Sequence, residues 1–391
     1  MKLGYYYHLP ALRKQDGLYM PGYQAVFVER LARHFERIVC FMPSPASGEA
    51  AMMDCRIKAR NVSLCSLGEH QRAILQILFG HQIAGRVRQQ LREVDLLLLR
   101  GPSPLLKALA SRAPHIPLAL LLVGDYEKGI SSLACSGLKR LGISMWSRWN
   151  RSQQNKLCRR ALTFVNNRPL FHQLEGVAAK LVEVRTSTFG ENDFFYREDT
   201  CRGQVIRLLY TGRMDSAKGL EDVLEAVILL SNKGVSVRWD LVGPLDPRDR
   251  VLERVFGRAR DAGVSERVFY HGYVPLGPQL WNYYREADFF VTASRSSEGF
   301  PRAISEAFSQ GLPVIATDVG SISEYAAKAL RIVPPQMPHD IAEALLDLMG
   351  DSESRMQMIR SGFDLARSVV IDRQVEMMAE HLQLWRGEQG A

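Results

Sequence analysis

No apolar run in this chain approaches the roughly 20 residues that a membrane-crossing helix needs. The longest, Ile116 to Gly124, is only as long as a strand. Cysteine is sparse: Cys40, Cys55, Cys65, Cys135, Cys158 and Cys201 are scattered, with no C-x-x-C pair. That spacing offers neither a zinc site nor a disulfide framework, so the thiols are expected to act as small buried hydrophobes. The opening residues, MKLGYYYHLP, lack the apolar core and cleavage site of a secretory signal, which points to the cytoplasm. Low-complexity tracts and short internal repeats are absent too, which excludes solenoids and disordered spacers. What remains is the composition of a globular protein, 46% hydrophobic and 24% charged over 391 residues. That length suits two domains better than one core.

The net charge of +8 is unevenly distributed. Residues 1–190 hold 27 Lys and Arg against 12 Asp and Glu, a net +15, and residues 191–391 hold 23 against 30, a net −7. A basic half joined to an acidic half implies that the two face different partners, or each other. Nucleic acid is not expected as a partner, because no recognition motif accompanies the charge and no stacking aromatics interleave with it in strands.

Apolar strands alternate with helical patterns along both halves. In the first, strands are expected at Leu3–Tyr7, Arg37–Met42, Val62–Leu67, Val94–Leu99, Leu118–Val123, Leu162–Val165 and Leu181–Val184. Helices fit between them at Gln24–Phe35, Glu69–Leu91 and Pro104–Ser111. The second half repeats the pattern, with strands at Val205–Tyr210, Val235–Val242, Arg267–His271, Asp288–Thr292, Pro313–Thr317 and Leu330–Val333. Alternation of this kind predicts two Rossmann-like α/β domains with parallel sheets, over 1–190 and 191–370. Ser187 to Thr200 reads as a polar, turn-rich linker whose Phe194, Phe195 and Tyr196 pack at the domain interface. The last segment, Ile371 to Trp385, reads as an amphipathic helix.

The most informative stretch is Ser294 to Glu324, SRSSEGFPRAISEAFSQGLPVIATDVGSISE. It places Glu298 and Glu306 eight residues apart, with a Gly-Phe-Pro turn and a helix start between them. Buried strands are expected on either side, so the unit is strand, turn, helix, strand. Ligands of parallel sheets bind at the carboxyl ends of the strands, where Glu298 belongs. Glu306, two turns into the helix, is expected to be half buried and therefore bonded to something.

This segment resembles the glutamate-seven-glutamate signature of retaining GT-B glycosyltransferases, and family 4 above all. The resemblance is carried by E-G-F-P, then Glu306-Ala307, then Gly311-Leu312-Pro313-Val314. It implies two Rossmann-like domains facing each other across a cleft, with the last helix (371–391) returning to the first domain. A second stretch, Thr211-Gly212-Arg213-Met214-Asp215-Ser216-Ala217-Lys218-Gly219, ends a strand and opens a helix. Two cations at a helix N-terminus suit a diphosphate, and Gly212 and Gly219 allow close backbone approach. The stretch is similar to the family's G-R-x(4)-K-G motif, which assigns Arg213 and Lys218 to the donor diphosphate. They would neutralise the charge that builds on a leaving nucleoside diphosphate. No D-x-D pair is placed for a metal, so no divalent ion and no cofactor is expected.

By the same resemblance, Glu306 would bond the ribose hydroxyls and Glu298 the donor sugar. The amides of Gly299, Phe300 and Arg302 lie at the helix start, where Pro301 suits the first turn. Gly243 ends one strand, and His271, Tyr273 and Val274 follow another; both places resemble the family's base-binding edge, and both equally fit plain strand-end turns. Gly22 (or Gly17) resembles the glycine loop after the first strand. Asp125 stands where many members carry His-Asp; here the pair is Gly124-Asp125, which leaves Asp125 either as a sugar contact or as a helix N-cap.

Residues 137–160, GLKRLGISMWSRWNRSQQNKLCRR, contain seven Lys and Arg and no acid, with Met145, Trp146 and Trp149 interspersed. Such a segment suits an anionic membrane surface, or equally a solvated helix with its Trp residues in the core. The resemblance therefore implies a cytoplasmic, peripherally membrane-bound retaining glycosyltransferase. It would move a sugar from a UDP- or GDP-linked donor to a glycan or lipid-linked acceptor in bacterial surface polysaccharide synthesis. The alternatives are a non-catalytic GT-B binding protein and a nucleotide-sugar epimerase.

Overall fold

A computed structural model describes residues 1–124, 138–246, 249–295, 302–320, 322–326 and 328–390. The chain divides into two units, one of Met1–Thr186 with Ile371–Ala391 and one of Ser187–Val370.

The first unit holds a seven-stranded sheet. Its strands are β1 (Lys2–Tyr6), β4 (Arg37–Ser44), β6 (Val62–Glu69), β7 (Leu96–Gly101), β8 (Leu118–Leu122), β9 (Ala161–Val165) and β10 (Lys180–Glu183). They run parallel in the order β10-β9-β8-β7-β1-β4-β6. β7 and β8 are buried at every residue, as strands covered on both faces must be. Alternate side chains serve opposite cores: Leu96 and Leu98 face one, Leu97 and Leu99 the other. A small antiparallel sheet of β2 (Leu12–Lys14), β3 (Gly17–Met20) and β5 (Cys55–Arg56) adds to this unit. Helix Ile371–Gly390 packs on it through Val375, Met378, Ala379, Leu382 and Trp385, at helical spacing, and the Trp385 indole donates to the Leu118 carbonyl at 3.0 Å.

The second unit has six parallel strands: β11 (Ile206–Thr211), β12 (Val237–Val242), β13 (Val268–Tyr270), β14 (Phe289–Thr292), β15 (Val314–Thr317) and β16 (Leu330–Val333). Their order is β13-β12-β11-β14-β15-β16. The strand order reverses between β11 and β14, which makes their carboxyl ends the natural ligand position.

Four expectations need correction. The boundary lies after Thr186 rather than at 190. The reason is also the second correction, because Ser187–Thr200 is not a linker. Phe189 is fully buried in the second unit's core, and Phe194 packs on Phe189 and Phe363 at ring distances of 5.7 and 6.2 Å. Tyr196 stacks beside it, and Phe195 lies under the Arg285 guanidinium, so the aromatic trio belongs to the second unit. Third, the helix expected over Glu69–Leu91 is two helices, Ala73–Gly85 and Arg88–Leu91, because Val87 leaves helical geometry to bury its side chain. Fourth, Trp149 is not in the core: on helix Leu138–Cys158 it is 52% exposed.

Candidate active site

The carboxyl ends of β11, β12 and β14 converge. Gly219 has a left-handed φ of +64°, and a Cβ there would collide with the Ala293 carbonyl that follows β14. Gly243 after β12 has φ +144°, and a Cβ there would strike the Gly212 carbonyl after β11. Glycine at these two positions is what lets three strand ends meet.

Between Gly212 and Gly219 the chain forms a tightly bonded loop. Asp215 caps the short turn Ser216–Lys218, accepting from the Ala217 amide at 3.0 Å and from Arg213 Nε at 2.7 Å. Asp249 accepts from the Ser216 amide at 2.6 Å and the Ser216 hydroxyl at 2.8 Å. Burial alone would raise the Asp249 carboxyl, but these bonds and one from the Val251 amide hold it below its usual range. The Arg295 amide donates to the Ala217 carbonyl at 2.8 Å, and its guanidinium grips Asp222 through two bonds. The backbone carrying Arg213 and Lys218 is thus fixed from several sides before any ligand arrives.

This loop borders a cavity of about 280 Å³. One wall is Tyr210, Thr211 and Gly212 at the end of β11; another is Phe290 and Thr292 of β14. Arg213, Lys218 and Arg302 line it as well, with Ala303 and Ile304 from the first turn of helix Arg302–Ser309. Three cations and a helix N-terminus around one cavity form an anion site. The structure therefore brings Gly212, Arg213, Lys218 and Arg302 together.

Glu306 lies outside that lining. It is 8% exposed on the second turn of the same helix, and each carboxylate oxygen accepts one hydroxyl: Thr188 at 2.6 Å on Oε1 and Tyr284 at 2.7 Å on Oε2. The Tyr284 hydroxyl also meets Thr211 Oγ1 at 2.5 Å. Burial, reinforced by the Glu306 carboxylate, pushes the Tyr284 phenol far up, so it stays a donor to Glu306 and accepts from Thr211. Thr211 reaches the cavity, so a chain of hydroxyl bonds runs from the cavity wall to Glu306. Sequence reading missed Tyr284, Thr188, Asp215 and Asp249, whose partners lie up to 118 residues away.

His271 faces Asp240, with Nε2 to Oδ1 at 2.6 Å, and the Arg238 guanidinium takes the same carboxylate. Val274 is 7% exposed in the core beside Val242, Leu280 and Trp281, so its side chain serves packing, while Tyr273 is 39% exposed. Gly22 opens helix Gly22–Ala32 of the first unit, and Gly17, at φ +154°, turns β2 into β3. Asp125, Glu298, Gly299, Phe300 and Pro301 lie outside the described residues. Among the described residues, no three His, Cys, Asp or Glu side chains gather as a metal site, and no helix is long and apolar enough to cross a membrane.

Residues 197–364 match the family described as glycosyl transferases group 1. D-inositol 3-phosphate glycosyltransferase of Paenarthrobacter aurescens (strain TC1) is 30% identical over 164 residues, 41% of this chain and 39% of that protein. Amylovoran biosynthesis glycosyltransferase AmsK of Erwinia amylovora is 28% identical over 126 residues, 31% of this chain and 30% of that one. The match thus spans about two fifths or less of these relatives' length. Among solved structures, Anabaena HepE in complex with UDP superposes over 98% of this chain and 100% of its own, with a TM-score of 0.72 and 17% identity. That likeness covers both units and establishes the GT-B fold.

Proposed function

We propose that the chain, whose residues 197–364 match the family described as glycosyl transferases group 1, transfers a sugar from a nucleotide-sugar donor to a glycan or lipid-linked acceptor. The observation that carries this reading is the cavity at the β11/β14 switch point, with Arg213, Lys218 and Arg302 on its walls. Departure of a nucleoside diphosphate builds negative charge on the leaving oxygens. Arg213, held by Asp215 on a loop that Asp249 and Arg295 anchor, stabilises that charge with Lys218 and without reorganising at the moment of reaction. The UDP bound to HepE favours a UDP-linked donor over a GDP-linked one. Glu306, held by Thr188 and Tyr284 on the helix that starts at the cavity, is the acceptor we assign to a ribose hydroxyl. The match to an amylovoran biosynthesis glycosyltransferase supports a role in bacterial surface polysaccharide synthesis. Retention of configuration and metal independence complete the proposal, together with attachment of the basic segment 137–160 to the inner face of the cytoplasmic membrane.

The test is thermal stabilisation by nucleoside diphosphates and nucleotide sugars, without and with Mg²⁺, on wild type and Arg213→Ala. A ligand that binds only the folded state stabilises it by mass action, by about 2.7 kcal/mol at a hundred times Kd, and so raises Tm. One nucleotide class should raise Tm without Mg²⁺, and Arg213→Ala should abolish the rise. No rise with any nucleotide would overturn the donor site, and a rise only with Mg²⁺ would overturn metal independence.

A further inference from the structure

Two helices on one face of the first sheet are inside out. Helix Ala73–Gly85, AILQILFGHQIAG, has no charged residue. A surface helix should turn its apolar side inward. This one buries Gln76, Gly80, Ile83 and Ala84, and exposes Ile74 (63%), Leu75, Ile77, Leu78 (69%) and Phe79. Gln76 turns inward to donate to the Gln71 carbonyl at 2.9 Å, so the reversal is built in by a hydrogen bond.

Helix Leu138–Cys158 repeats the reversal. Ser147, Asn150 and Gln154 are buried, while Leu141, Met145 and Trp149, spaced i, i+4, i+8, are exposed. Helix Leu106–Arg112 joins the two: Arg112 donates to the His81 carbonyl at 2.8 Å, and Lys107 lies 5.5 Å from the Trp149 ring centre. Half of the exposed large apolar side chains among the described residues fall on these two helices, eight of sixteen. Contiguous exposure of this kind marks an interaction surface.

Charge decides the occupant. The segment 137–160 has seven Lys and Arg and no acid, and residues 1–190 carry +15. An apolar, uncharged helix beside a basic one carrying Trp at its exposed edge matches an anionic bilayer, with the apolar side chains below the headgroups and the cations among them. We infer that helix Ala73–Gly85 inserts its Ile74–Phe79 face into an anionic lipid bilayer, with helix Leu138–Cys158 as its basic flank. This rests on the membrane reading above and goes further: attachment is by apolar insertion as well as by charge.

The experiment is co-sedimentation with large vesicles of phosphatidylcholine, alone or with phosphatidylglycerol, at low salt and at about 1 M salt, where the Debye length is about 3 Å. Wild type is compared with the double variant Ile74→Ser, Leu78→Ser, whose fold is checked by its Tm. Wild type should keep a bound fraction on anionic vesicles at high salt. The variant should bind at low salt but partition roughly tenfold more weakly per side chain at high salt. Binding wholly released by salt in wild type, or unchanged in the variant, overturns insertion while charge-driven attachment stands. Salt-resistant binding to pure phosphatidylcholine that the variant loses supports insertion and overturns the charge reading. Absence of vesicle binding, with self-association that the variant abolishes, overturns insertion in favour of a second copy.

Discussion

His8 follows β1 and is partly buried beside Arg100, a residue 6% exposed whose guanidinium lies 4.4 Å from the Tyr7 ring centre and donates to Gln24 at 3.1 Å. Burial, then the nearby Arg100 and His70, lowers the His8 imidazole from 6.5 to about 4. A depressed histidine is neutral in the folded protein and free to protonate once unfolded. Its contribution to stability is complete above about pH 6.5 and is lost as pH falls from there toward 4. Between pH 7 and pH 4.5 this linkage should remove about 2 kcal/mol. His8→Asn should shrink the difference in urea-unfolding free energy between those two pH values by that amount. Parallel losses in both proteins would show that His8 does not titrate in the window. The same scale explains what sequence reading could not reach. The E-x(7)-E spacing made Glu306 legible, but not that Thr188 and Tyr284 occupy both its oxygens, since those partners lie 118 and 22 residues away.

Among elements, the loop from Gly212 to Gly219 is the most over-determined. Its glycines, cations and following helix were readable because they are adjacent in sequence. Its anchors Asp249 and Arg295 were not, because only the sheet order brings them to it. Gly219→Ala tests how much the loop depends on close approach. A Cβ meets the Ala293 carbonyl at a left-handed φ, so the substitution should cost about 2–4 kcal/mol and remove nucleotide stabilisation. Urea midpoints and a nucleotide titration measure both, and unchanged values would mean that the loop tolerates displacement from β14. The parallel strands were legible within a few residues because unbroken apolar runs identify them. The two-to-four-residue strands β2, β3 and β5 were not, for they carry no run long enough to show a period. Helix Ala73–Gly85 was expected but its orientation was not; composition does not say that Gln76 faces in and Leu78 out.

For the whole molecule, the first unit is assembled from two stretches of chain, and Trp385 shows what the second stretch supplies. It is 6% exposed, packs in the first unit's core and bonds to Leu118. Trp385→Ala should cost that unit about 3–5 kcal/mol. Scanning calorimetry with and without nucleotide should show the transition that nucleotide does not raise moving down, with the other unmoved. An equal fall in both would mean that the units melt as one.

That interrupted architecture also bears on birth order. A nascent chain normally completes its N-terminal domain first. Here β1 emerges early, yet the core beneath it stays open until Val375, Met378 and Leu382 leave the ribosome. The unit encoded by Ser187–Val370 is continuous and can close earlier. Of the two units, the one whose strands emerge first is therefore closed second, and its apolar strands lack part of their cover in the meantime.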